Sequence, residues 1–143
     1  MNIKNLFMNL AQKVKALEYK LGLIADYVVE TGTSGIWTYE KWESGKAVCW
    51  GRQTNTITSG QIWTSPIYSA QISRPDYPFT FLAPPTETAS VVDSVNAAWI
   101  YKQAGQENSN TTTKATNYWA IKVNNFDNNS SLAVAYHVIG KWK

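Results

Sequence analysis

Ile36-Trp37-Thr38-Tyr39-Glu40-Lys41-Trp42, then Glu43-Ser44-Gly45, then Lys46-Ala47-Val48-Cys49-Trp50, is the passage from which the architecture follows. Both arms are dominated by aromatic and β-branched residues, which suit a pleated, half-buried surface, and the residues between them are turn formers. The pattern predicts a β-hairpin. Cys49, the sole cysteine, has no disulfide partner in the chain and reads as a small buried hydrophobe.

Downstream the same grammar repeats. Asn55 to Ser65 is polar, anchored by Ile57, Ile62 and Trp63, and reads as a long connection or a short edge strand. Ile67 to Ser73, Pro78 to Leu82, Thr86 to Val92, Asn96 to Gln103, Ala115 to Val123 and Leu132 to Ile139 read as further strands. In the last of these Leu132, Val134, Tyr136 and Val138 share one face and Ala133, Ala135, His137 and Ile139 the other. Both sides are largely apolar, which predicts a central strand. Gly105 to Lys114 and Asn124 to Ser131 are polar loops, and their glycosylation-type triplets stand without a secretory signal.

Upstream the period changes from 2 to 3.5. Ile3, Phe7, Leu10, Val14, Leu17, Leu21, Ile24 and Val28 alternate at spacings of four and three, so all eight core slots of about four heptads are apolar. A seam of that period stays on one face only when helices coil about one another, which predicts copies of this chain as partners. A lone amphipathic helix packed on its own domain is the competing reading. With Lys13 at g and Glu18 at the following e, the register suits parallel helices. Glu30-Thr31-Gly32-Thr33-Ser34-Gly35 breaks the pattern. The expected organisation is a coiled-coil stalk over 1–30, a linker over 31–35 and a β-sandwich head over 36–143. The fold class is mainly β, an antiparallel sandwich on a homotrimeric helical stalk.

Composition narrows the functions. The net charge of +3 is spread without a basic run, which gives no support to nucleic acid or a membrane surface as partner. No stretch is long and apolar enough for a membrane span, and the opening residues lack the apolar centre of a signal peptide. One histidine and one cysteine are too few for a His- or thiolate-based metal site, so no metal or cofactor is expected. His137 sits in an apolar strand and reads as a core imidazole. Asp76, Asp93 and Asp127 fall in separate turns, so no catalytic residue is assigned and a surface-polysaccharide hydrolase is the weakest of the readings.

Seven Trp and eight Tyr, with Asn, Asp and Arg in the turns, suit recognition of sugars by stacking and hydrogen bonding. Packing within the sandwich and between copies would also use them. Trp37, Trp50 and Trp119 lie inside strands and are assigned to packing; Trp42, Trp63 and Tyr77 lie near turns. If the strand from Ile36 runs away from the stalk, the turn at 43–45 is distal. Successive reversals then add 74–77, 93–94 and 124–131 to that end. Trp42, Arg74, Asp76, Tyr77, Asn125, Phe126, Asp127 and Asn128 are therefore the expected ligand-facing set.

The Trp-rich opening from Gly32 to Trp42, with Gly45-Lys46-Ala47-Val48-Cys49-Trp50-Gly51, resembles head domains at the C-terminal end of tail and baseplate proteins of bacteriophages and prophages. The closing Ile139-Gly140-Lys141-Trp142-Lys143 is similar too, so this likeness covers nearly the whole chain. Tyr77 to Thr86 and Val134 to Gly140 are similar to phrases of H-type lectins, which are trimeric sugar-binding β-sandwiches. No sugar-contacting residue of those lectins aligns, and none is carried over. The resemblance implies a homotrimer in the virion, made in the bacterial cytoplasm, beside other tail or baseplate proteins. It implies binding to a host surface glycan without cleavage. The alternative is a trimeric capping module with no ligand.

Overall fold

The computed structural model describes residues 3–20, 26–95, 99–102, 110–127 and 130–143. Among them are one helix, α1 (Ile3–Lys20), and nine strands: β1 (Val28–Ser34), β2 (Trp37–Trp42), β3 (Lys46–Thr56), β4 (Gln61–Thr64), β5 (Ile67–Gln71), β6 (Thr86–Val95), β7 (Trp99–Lys102), β8 (Tyr118–Val123) and β9 (Ser131–Lys141). All pairings are antiparallel. One sheet runs β1-β2-β3-β9-β6 and the other β4-β5-β8-β7. The mainly β, two-sheet architecture is the one the alternating sequence predicts.

β3 and β9 are the spine, paired without a break from Lys46–Lys141 to Thr56–Ser131. Their inward residues Ala47, Cys49, Leu132, Val134, Tyr136 and Val138 are buried against Tyr118 and Ala120 of the second sheet, together with Ile72 and Phe81. Tyr68, Ala70 and Ile100 pack on the same core and mark the inner face of the smaller sheet. Truncating Phe81 or Leu132, each about 1% exposed, would cost about 3–5 kcal/mol. β9 is central, as expected, yet His137 faces solvent, because it and Trp50 are cross-strand partners on the outer face of the larger sheet. That corrects the core reading of His137, and it leaves Trp50 outside the packing between the two sheets.

Three further expectations are corrected. Val28 is not a helical core position: it opens β1, and Thr31-Gly32-Thr33-Ser34 are strand rather than linker. Val28 and Val29 are β-branched, and Gly32 leaves room for the Tyr39 ring, since a Cβ there would lie 2.6 Å from the Tyr39 hydroxyl. Leu21 and Ile24 lie outside the described residues, so the helix accounts for Ile3, Phe7, Leu10, Val14 and Leu17. All five are exposed.

Pro78 to Leu82 is irregular, not a strand. Pro78 has no N–H to give a ladder, and its neighbours make single cross-links instead. Tyr77 and Phe81 donate to the carbonyls of Thr113 and Thr112, and Leu82 to that of Lys141, each at 2.8 Å. The segments 72–85 and 110–117 thus cover the half of the larger sheet that the smaller sheet leaves bare.

The extra strand β1 adds one reversal, which changes the ends. The chain enters beside the 43–45 turn: the Glu43 N–H donates to the Tyr27 carbonyl, and Ser44 is bonded through both its N–H and its hydroxyl to the Asp26 carboxylate. The turn expected to be distal is therefore at the entry. The C-terminus returns to the same place, where Trp142 donates to the carbonyls of Gly45 and Trp42. The opposite end holds the junction of Thr56 with Ser131 and of Val95 with Ser131, and with it residues 93–94 and the described residues 124–127 and 130–131.

Candidate functional site

Beyond Thr56 the chain leaves β3 and crosses to β4, and three contacts shape the crossing. Ile57 is buried and its N–H donates to the Ser130 carbonyl at 3.0 Å. The Gly60 N–H donates to Asn125 Oδ1 at 3.0 Å. Gly60 lies against the Phe126 ring and the Ser69 carbonyl, where an added Cβ would come within 2.6 and 3.0 Å. A side chain does not fit there.

Between this crossing, β5 and β8 lies a cleft of about 420 Å³. Thr56, Thr58, Ser59, Ser69, Gln61 and Gln71 line it, with Ile57, Gly60, Ala70 and Trp119. The register explains the assembly. Gln71, Trp119 and Tyr101 are successive cross-strand partners on β5, β8 and β7, and Gln61, Ser69, Ile121 and Trp99 form the neighbouring row. These rows belong to the face of the smaller sheet turned away from the core. The Trp63 ring stacks on Tyr101, centroids 5.1 Å apart and planes within 4°. Trp63 and Trp99 are more than half exposed.

Hydrogen bonding in the cleft is partly committed and partly free. Gln71 donates through Nε2 to Asn117 Oδ1 at 2.8 Å, which fixes the orientation of its amide. The Trp119 Nε1–H is buried and has no partner among the described residues. Such a donor costs free energy until an acceptor reaches it. Among the described residues that line the cleft none carries a charge, and no two form a nucleophile–base pair. The arrangement is suited to stacking and neutral hydrogen bonds.

The structure separates the residues expected to face a ligand. Trp42 is at the entry end, half-buried, with Lys46 Nζ 4.6 Å from its ring centre. Arg74 donates from Nε to the Ala115 carbonyl at 2.6 Å. Asp76 accepts the Trp37 indole N–H on its carbonyl and pairs with Lys114 at 3.1 Å. Tyr77 is core: it is buried, and its ring lies 5.6 Å from Trp37 and 5.2 Å from Phe81. Burial, and then the bond to Glu87, push its hydroxyl pKa well above the ordinary phenol value. Asp127 accepts from the Ser130 N–H and hydroxyl, at 2.9 and 3.0 Å. Asn128 lies outside the described residues. Of the described members of the set, Asn125 and Phe126 touch the cleft wall, through Gly60, and Phe126 does so as a buried ring.

Trp119, assigned to packing from the sequence, is half-buried and also borders the cleft. Its alternation with Tyr118 and Ala120 places it on the opposite face from them. That signal was present, but which face of β8 meets the larger sheet was not readable.

Among the described residues no cluster of His, Cys, Asp and Glu could hold a metal ion, and no helix is long and apolar enough to cross a membrane. No family model, curated protein or solved structure matches the chain.

Proposed function

We propose that this protein is a homotrimeric tip of a phage or prophage tail fibre or baseplate that holds a host surface glycan without cleaving it. The observation that carries the reading is the polar, uncharged cleft beside Trp119, flanked by the Trp63–Tyr101 stack. Aromatic faces cover the apolar side of a sugar ring while hydroxyl and amide groups meet its hydroxyls. The cleft sits toward the Thr56 end of β3, remote from the entry at Asp26, so a stalk on that side would leave it outermost. The exposed seam of α1 supports association, because Ile3, Phe7, Leu10, Val14 and Leu17 are exposed in their own chain and can meet copies of themselves. Three sites on one particle would convert weak binding into useful avidity.

Light scattering of the purified chain, with retention on bacterial cell-wall fractions, tests both halves. The expected result is a trimer that is retained, and a Leu10→Asp/Leu17→Asp variant that becomes monomeric and loses retention while its single-site affinity persists. A trimer that holds no wall fraction would instead indicate a capping module; a monomeric parent chain would overturn the stalk.

A further inference from the structure

We infer that the cleft selects neutral oligosaccharides over the anionic polymers of bacterial surfaces, an inference that rests on the glycan-binding reading above. Its polar lining residues are Thr, Ser and Gln, with no Lys, Arg, Asp or Glu among the described lining residues. A phosphate or carboxylate brought into such a site would lose water and gain no charge-assisted partner, a net penalty. A sugar hydroxyl both donates and accepts, and it loses little on the same exchange.

The nearest cationic side chains of the neighbouring strands do not repair the deficit. Lys122 on β8 and Lys102 on β7 sit by register on the opposite face from Trp119 and Tyr101. The Lys122 ammonium is directed to the Asn125 carbonyl at 3.4 Å and to the Ser130 hydroxyl at 3.5 Å. The Gln71 amide, held through Nε2 by Asn117, has its carbonyl oxygen as the acceptor left for a sugar hydroxyl, and Trp119 beside it contributes aromatic surface.

The test is calorimetric titration of the full chain with neutral hexose and N-acetylhexosamine oligomers, and with matched uronate- and glycerol-phosphate-containing oligomers. Neutral oligomers are expected to bind, with Kd changing less than about twofold between about 0.05 and 0.5 M salt. Trp119→Ala removes the aromatic surface beside Gln71, and is expected to weaken binding about tenfold. Gln61→Ala, at an exposed position with no packing to lose, should weaken it severalfold while leaving thermal unfolding unchanged. Binding confined to the anionic oligomers and abolished by salt would overturn the inference while leaving glycan recognition standing. Neutral binding undiminished in both variants would overturn the assignment to this cleft. Absence of binding to either class would remove the glycan reading itself.

Discussion

The Tyr77 hydroxyl donates a 2.6 Å hydrogen bond to Glu87 Oε2, and the same carboxylate accepts the Thr116 N–H at 3.1 Å on each oxygen. Glu87 lies on β6, Tyr77 in the 72–85 segment and Thr116 in the 110–117 segment. One carboxylate therefore ties both irregular coverings to the larger sheet. This is why Tyr77, near a turn in sequence, belongs to the interior.

Removing that acceptor should be costly. Glu87→Ala deprives the buried Tyr77 hydroxyl and the Thr116 N–H of their acceptor, and should lower unfolding free energy by about 2–4 kcal/mol; Tyr77→Phe should cost about 1–2 kcal/mol. Urea denaturation followed by tryptophan fluorescence measures both. Glycan binding by the folded Tyr77→Phe protein should be unchanged, and a selective loss of binding would return Tyr77 to the ligand site.

Lys41 should matter more than a surface lysine. Its ammonium is 3.0 Å from Glu30 and sits 4.7, 5.0 and 5.4 Å from the ring centres of Phe79, Trp142 and Tyr39. It joins β1, β2, the 72–85 segment and the C-terminus. Lys41→Met keeps most of the volume and loses the charge, and is expected to cost about 1 kcal/mol and lower Tm by a few degrees. A Tm equal to the parent's would show the cage to be inert.

Acid should loosen the entry end before the spine. The bonds from Lys41 and Tyr39 hold the Glu30 carboxyl below its ordinary value, and the bonds from Ser44 do the same for Asp26. A carboxyl whose folded pKa is depressed stabilises the fold above its unfolded pKa, about 4, and that contribution is lost as pH falls through the folded value. Amide hydrogen exchange at about pH 3 and 6, corrected for the intrinsic rate, should show protection falling in β1 while β9 stays protected. Equal loss in both strands would refute it.

Cys49 should be inert in the folded protein. Burial first, then the nearby Glu87 charge, push its thiol up to about 12, so the native state holds it neutral. An unfolded thiol ionises near pH 8.5, so this group's stabilising contribution is complete below that pH and declines as pH rises through the folded value. A thiol reagent at pH 8 should label Cys49 only at the rate of unfolding, and rapid labelling of folded protein would show the site to be open.

Gly60 should control the cleft. Gly60→Val forces the added atoms into the Phe126 ring and the Ser69 carbonyl, so the 56–61 crossing must shift. The expected outcome is about tenfold weaker sugar binding, with stability reduced by about 1–3 kcal/mol. Unaltered affinity would place the ligand elsewhere.

The alternation of Trp37 to Trp42 and Lys46 to Trp50, and the two apolar faces of Leu132 to Ile139, made the hairpin and the central strand legible, because period-2 patterning is local. The heptad stripe of α1 was legible for the same reason. Val28 was not: it satisfies a helical slot as well as a strand, and the pairing of β1 with β2 that settles the matter depends on residues more than ten positions away. That one strand inverted the expected ends of the hairpin and moved the 43–45 turn from the tip to the entry.

The candidate site was the least legible part. Gln71, Trp119 and Tyr101 are neighbours only through two strand pairings, and the crossing at Gly60 is shaped by Asn125 and Phe126 from the far side of the chain. The order of residues already contained the strand class, the apolar sides and the helical seam, since each is set by neighbours within a turn or a pleat. Which faces meet, and which tryptophan is left lining a cleft, was settled by long-range pairing, where burial and hydrogen bonding are shared among segments that sequence does not place side by side.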